Sequence, residues 1–283
     1  MTRHDQRSLS RARTRGPTLY SYFASPDGKP AAVVGIVHGA FEYGERYAHV
    51  MDAWAEQGIA SVAIDMRGHG RAGGRRGYCE RFEEFLDDTL ELEGLVAETK
   101  VPALLFGHSF GGLVAASTAL ARPAAWRALV LSSPFFDVAT EVPWPKMVAA
   151  RVASRILPTF AMANGIRSSD VTHDAALARA YDEDPLTFHT ATARWYTETR
   201  SAQERALKKA ASIAMPLYVV VGTADRLVKT EAARSFFDRV SSSDKTWDER
   251  AGLFHEVLNE PEWRGIADKL GEWMLAHANH SAV

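Results

Sequence analysis

The sequence predicts an α/β protein: a mostly parallel central sheet flanked by helices, with a helical cap insertion. Three observations carry this. Short apolar runs rich in β-branched residues alternate with segments of helical period from Ala32 to Ser132, the spacing of βαβ units. The alternation stops at Pro134, and helical periods dominate as far as about Arg194. It then resumes at Leu217–Gly222. At 283 residues the chain is long for one simple domain and short for two full ones, which suits one large core with an insertion. The expected division is a basic, disordered tail over 1–17, a core made of 18–133 and 195–283, and a cap over 134–194.

Taken in order, Thr18–Ala24 alternates enough for a first strand, and Pro26-Asp27-Gly28 is a turn. Ala32–Val37 reads as a strand buried on both faces. Tyr47, Val50, Met51 and Trp54 share one face of a helix from Arg46 to Gln57, which stops at Gly58. Ile59–Ile64 is the next buried strand. A Gly- and Arg-rich loop, Arg71 to Gly77, leads into a long helix from about Phe82 to Glu98. Ala103–His108 is a strand, Leu113 to Ala121 a helix of small residues, and Ala128–Ser132 a strand. Beyond the insertion come Leu217–Gly222, a helix from Glu231 to Val240, a strand near Lys245–Arg250 and a closing helix from Glu262 to His277.

Composition narrows the function. A hydrophobic fraction of 46% and a net charge of −2 describe a soluble globular protein without general attraction to nucleic acid. The single cysteine, Cys79, excludes an intramolecular disulfide and suits a cytoplasmic, reducing compartment. Arg3, Arg7, Arg11, Arg13 and Arg15 make the N-terminus basic, either a solvated tail or a weak anion-binding arm. No run of 18 apolar residues is present to span a membrane.

The chemistry centres on Gly107-His108-Ser109-Phe110-Gly111, where a buried strand delivers a serine to a turn so tight that its flanks are nearly free of side chains. A serine hydroxyl needs an adjacent base, and the base needs an orienting acid. Asp225 sits three residues past the strand Leu217–Gly222, and His255 five residues past the last strand. Ser109, Asp225 and His255 therefore all fall beyond strand carboxyl ends, where α/β sheets build sites. Donors for a developing oxyanion are expected from the backbone N–H groups of Phe110 and of Ala40, in the loop after the first buried strand. No metal-ligand spacing and no dinucleotide fingerprint occur, so no cofactor is expected.

Several motifs then coincide: His38-Gly39-Ala40-Phe41-Glu42-Tyr43-Gly44-Glu45-Arg46-Tyr47, Asp65-Met66-Arg67-Gly68-His69-Gly70, the serine turn, Asp184-Pro185-Leu186, Gly222-Thr223-Ala224-Asp225 and His255-Glu256-Val257-Leu258-Asn259-Glu260. With them the sequence resembles the monoacylglycerol lipase and lysophospholipase branch of the serine α/β-hydrolases, from about Tyr20 to His277. The resemblance implies the triad Ser109, Asp225 and His255 and a helical cap over an acyl-chain tunnel. It also implies that Glu42, Arg46 and Tyr181 line a pocket for the glycerol head. Glu42 and Arg46 also read as a plain i, i+4 pair and Tyr181 as cap packing. Family members often carry methionine where Phe110 stands and serine where Ala72 stands.

The implied reaction is hydrolysis of a single-chain lipid ester such as a monoacylglycerol. Lysophospholipase or medium-chain carboxylesterase activity is the near alternative. An aminopeptidase would use the acidity of Asp182, Glu183 and Asp184, and a non-catalytic binding protein would tend to lack part of the triad. On the cap, Val148, Val152 and Ile156 form an apolar stripe beside Lys146, Arg151 and Arg155, with Val142 and Trp144 just before it. Burial of that stripe against core or tunnel is the favoured reading. Transient docking on a membrane surface to collect an amphiphilic substrate is the other.

Overall fold

A computed structural model describes residues 2–9, 13–139 and 143–278, so Arg11 and Val142 lie outside the described residues. The strands in chain order are β1 (Arg3–Leu9), β2 (Leu19–Ser25), β3 (Ala32–Val37), β4 (Ile59–Asp65), β5 (Ala103–His108), β6 (Leu129–Ser132), β7 (Ala161–Ala163), β8 (Thr190–Thr192), β9 (Leu217–Gly222) and β10 (Lys245–Arg250). The helices are α1 (Ala48–Glu56), α2 (Glu83–Ala97), α3 (Phe110–Ala121), α4 (Trp144–Ile156), α5 (Ala175–Glu183), α6 (Ala193–Lys209), α7 (Thr230–Arg239) and α8 (Trp263–Ala278). Among the described residues, eight strands form the main sheet in the order β1-β2-β4-β3-β5-β6-β9-β10. It is parallel from β4 onward, with β1 and β2 antiparallel at one edge.

Each central strand is buried on both faces, so alternate residues feed two cores. In β3, Val33 and Val37 join the side packed by α2, α3, α6 and α7, through residues such as Leu92, Leu113, Ala206 and Phe236. Val34 and Ile36 join the other side, with Trp54 of α1 and Leu270 of α8. This places three strand-end loops, those after β3, β5 and β9, on one rim of the sheet.

The structure corrects the sequence reading at four places. The basic N-terminal segment is not a free tail: Arg3–Leu9 pairs with β2 over seven residues, and the N–H groups of Arg13 and Thr14 donate to Glu91 of α2 at 3.0 and 2.7 Å. An exposed edge strand carries no apolar alternation, but it caps the unpaired edge of β2. The cap is not wholly helical, since β7 and β8 pair antiparallel within it. The polar helix α6, which runs from the cap back to the core, was not anticipated between Arg194 and Leu217. Its buried face rests partly on small residues, Ala202 and Ala206. Finally, the α4 stripe is not buried. Trp144 is 71% exposed and Ile156 68%, and Ser154 alone is buried among the residues of this helix. Among the described residues no helix is long and apolar enough to cross a membrane.

Candidate active site

Ser109 sits between β5 and α3 with φ 53° and ψ −120°, a conformation L-residues avoid and that is held only where the surroundings over-determine it. Here they do. The Ser109 N–H donates to the Ser132 carbonyl at 2.9 Å, and its own carbonyl accepts from Gly112, Leu113 and Phe135. A Cβ on Gly111 would run into the carbonyl oxygens of Val37 and His38, so only glycine lets α3 start this close to β3.

Asp225 and His255 meet because the loops after β9 and β10 run against each other. The Ala224 N–H donates to the Leu253 carbonyl and the Thr223 N–H to that of Arg250, both at 3.0 Å. Asp225 Oδ1 accepts the N–H groups of Leu227 and Val228 at 2.8 and 3.1 Å, which leaves Oδ2 for His255 Nδ1 at 2.7 Å. That bond places the ring proton on Nδ1 and the lone pair on Nε2. Burial works against a charged His255 ring, but the Asp225 charge outweighs it and holds the imidazole pKa above its ordinary value. Burial likewise works against the Asp225 anion, and His255 still draws its pKa below the usual range.

A second imidazole lies beside the first. The His108 ring centroid is 4.9 Å from that of His255, and its Nδ1 is 3.1 Å from Ser132 Oγ. Burial, helped by His255, pushes its pKa down to about 3, so it stays neutral next to the titrating ring.

The loop after β3 supplies the remaining group. His38 is fully enclosed, and burial holds its pKa well below the ordinary value. The Met66 N–H donates to His38 Nε2 at 3.0 Å, so the neutral ring carries its proton on Nδ1 and donates to the Gly39 carbonyl at 2.7 Å. That carbonyl belongs to the peptide whose other end is the Ala40 N–H, and a trans peptide directs the two oppositely. Among the described residues the N–H groups of Ala40 and Phe110 have no hydrogen-bond partner. Both are thus available to an incoming oxygen.

Ser109, Ala40 and His255 open onto one cavity of about 400 Å³. Its wall is mostly apolar, from Phe41, Trp195 and Leu227 of the core to Ala150, Met162 and Ile166 of the cap. The charged residues on it are Lys146, Arg200 and Arg226, and among the described residues no carboxylate lines it. Asp182 instead accepts a hydrogen bond from Ser168 Oγ at 2.6 Å, and Asp184 one from Tyr43 Oη at 2.5 Å.

Glu42, Arg46 and Tyr181 do come together, but not on that wall. Arg46 donates to Glu42 at 2.9 Å and lies over the Tyr181 ring at 4.9 Å. All three are absent from the cavity lining. Sequence reasoning missed the reason, Glu256, which takes both arms of the Arg46 guanidinium at 3.1 and 2.8 Å. It also missed Glu260, which accepts the N–H groups of Phe254 and His173 at 2.7 and 2.8 Å and so ties the His255 loop to the cap. Both stand in the quoted His255–Glu260 motif, yet adjacency in sequence does not reveal partners so far away.

Residues 28–262 match the family described as serine aminopeptidase, S33. The chain belongs to that family. A monoacylglycerol lipase of Mycolicibacterium smegmatis is 32% identical over 89% of this chain and 91% of its own. A Bacillus subtilis protein named phospholipase YtpA is 30% identical over 83% of this chain and 91% of its own. The crystal structure of a monoacylglycerol lipase from Paleococcus ferrophilus superposes with a TM-score of 0.83 at 30% identity, covering 92% of this chain and 99% of that one. The fold is the α/β-hydrolase fold, and the chain is an enzyme of the carboxylic-ester hydrolase class.

Proposed function

We propose that this hydrolase cleaves the carboxylic ester of a single-chain lipid, with monoacylglycerol the leading substrate. The observation that supports it most is the cavity of about 400 Å³, in which Ser109 and His255 share an apolar wall free, among the described residues, of any carboxylate. An acyl chain suits that wall, whereas the ammonium group of an aminopeptidase substrate finds no counter-charge there.

The reaction follows from the proton inventory. Ser109 Oγ attacks the ester carbonyl while His255 Nε2 takes its proton, and Asp225 stabilises the imidazolium that forms. The N–H groups of Ala40 and Phe110 receive the oxyanion. Collapse expels the alcohol, protonated by His255, and leaves an acyl ester on Ser109. Water that gives up a proton to His255 then releases the fatty acid and restores the serine.

Docking at a lipid surface belongs to the same proposal. Helix α4 turns Lys146 and Ala150 to the cavity, while Trp144, Val148, Val152 and Ile156 are exposed. Leu157 and Phe160 extend the exposed patch, and Arg151 and Arg155 flank it. An apolar stripe edged with cations is the composition of an interfacial helix. A second substrate, a lysophospholipid, is favoured by Lys146 on the cavity wall, which suits a phosphate-bearing head, while Arg200 and Arg226 beside it are paired with Asp137 and Asp170.

The test is hydrolysis of monoacylglycerols of several chain lengths, a lysophospholipid and an aminoacyl amide by the wild type and Ser109→Ala. The expected result is lipid-ester cleavage that falls by about 10³-fold or more in the variant, with the amide untouched. Absence of any Ser109-dependent ester cleavage sinks the proposal. Activity confined to short water-soluble esters sinks its lipid part.

A further inference from the structure

We propose that Glu42 is a positioning residue for the oxyanion hole, fixing the Gly39–Ala40 turn through the Gly39 N–H, and that Arg46 locks it to Glu256 beside His255. This rests on the ester-hydrolase reading above and departs from a head-group role for the same side chains.

Glu42 is buried, and three hydrogen bonds from within the protein reach its carboxylate. Oε1 accepts from the Gly39 N–H at 2.5 Å and from Tyr47 Oη at 2.8 Å, while Oε2 accepts from Arg46 at 2.9 Å. Arg46 spends its other bonds on Glu256, which Asn259 Nδ2 also contacts at 2.8 Å. A glycerol hydroxyl would compete there with a carboxylate already engaged by three protein donors. None of the three residues reaches the cavity wall.

The loop they hold needs holding. Phe41, between the Ala40 donor and Glu42, has φ 68°, a left-handed conformation that a bulky residue keeps only under constraint. The turn is fixed on both sides: His38 Nδ1–H grips the Gly39 carbonyl and Glu42 grips the Gly39 N–H. The Ala40 N–H itself has no partner among the described residues, so its direction is inherited from those two grips. A Cβ on Gly39 would lie 2.7 Å from Glu42 Oε1, which shows how closely the carboxylate is seated. Through Arg46 the same carboxylate is joined to the residue after His255. One buried ion network therefore sets oxyanion donor and general base relative to each other. Displacing a preorganised donor by about 1 Å costs on the order of 100-fold in rate.

The experiment compares wild type, Glu42→Ala, Glu42→Gln and Arg46→Lys on a monoacylglycerol and on p-nitrophenyl butyrate, which has no glycerol. Affinity for a trifluoromethyl ketone, whose hemiketal carries an oxyanion, is measured alongside. Glu42→Ala is expected to lower kcat by about 10–100-fold on both esters with KM within about twofold, and to weaken the ketone by the same factor. Glu42→Gln keeps an acceptor for the Gly39 N–H and should recover most of the loss. Arg46→Lys keeps the charge without the two-armed fork and should lose kcat severalfold on both esters. It carries the test if Glu42→Ala fails to fold by circular dichroism. A loss confined to the monoacylglycerol and expressed in KM overturns the inference in favour of head-group binding. Unchanged ketone affinity, or full activity in Arg46→Lys, overturns it as well. A wild type inert to both esters overturns this inference and the proposed function together.

Discussion

Ser109 and Gly111 show what single residues contribute to this site. The serine holds φ 53° because Ser132, Gly112, Leu113 and Phe135 bind its backbone, and Gly111 permits that crowding by lacking a Cβ. Gly111→Ala should therefore lower unfolding free energy by about 1–3 kcal/mol in denaturant titration, since neither neighbouring carbonyl can move aside. Wild-type stability in that variant would mean that the close approach to β3 is not needed. A second prediction concerns pH. In the proposed reaction His255 accepts a proton only when neutral, and Asp225 holds its pKa above the ordinary value near 6.5. Activity should thus be full above that raised pKa and decline as pH falls through it. Asp225→Asn should move the titration of the ring to lower pH and cut kcat by about 10⁴-fold. NMR titration of the His255 ring reads the shift independently of rate, and an unmoved titration would contradict the pairing. The placement of Ser109 and Asp225 was legible in the sequence because each lies within three residues of the end of an apolar strand, and that of His255 because it follows the polar edge strand β10 by five. The surroundings of Glu42 and Arg46 were not. Spacing revealed their i, i+4 pairing, while Glu256, which turns that pair into a buried network, lies 210 positions from Arg46.

Among elements, those buried on both sides were the easiest to read. β3 and β9 have the bounds that their apolar runs indicate, the half-exposed edge strand β10 also matches its expected bounds, and α2 and α8 differ by about a residue at their ends, the usual ambiguity of helix termini. Elements that bury little were harder. β1 is exposed along nearly its whole length and β7 along all of it, so no period marks them. For α4 the period was visible but not its partner: a stripe at helical spacing reports amphipathicity, not what covers it. The structure leaves Trp144 and Ile156 uncovered. Replacing both with serine should weaken binding to liposomes by about 10–100-fold, from the loss of two large apolar contacts. Hydrolysis of a water-soluble ester should stay within about twofold of wild type, since neither residue lines the cavity. Unaltered liposome binding would remove α4 from the docking surface.

At the scale of the molecule, the parallel sheet sends the loops after β3, β5 and β9 to one rim, and the cap closes over them to form the cavity. The core was legible because parallel strands buried on both faces must be nearly continuous apolar runs. The cap was less so, since its short elements carry little continuous apolar sequence and several of the bonds that hold it reach distant parts of the core. Among these are the Glu256 N–H to the Val171 carbonyl at 2.8 Å and Thr172 Oγ1 to the Asn259 carbonyl at 2.7 Å. In the proposed function the sheet rim carries the reaction and the cap the choice of substrate. Every step of that account passes through an acyl ester on Ser109. Rapid quenching of the enzyme with a monoacylglycerol, followed by intact-protein and peptide mass spectrometry, tests this most directly. The account predicts a single acyl adduct on the peptide containing Ser109, absent from Ser109→Ala. Turnover without an adduct, undiminished in Ser109→Ala, would contradict it.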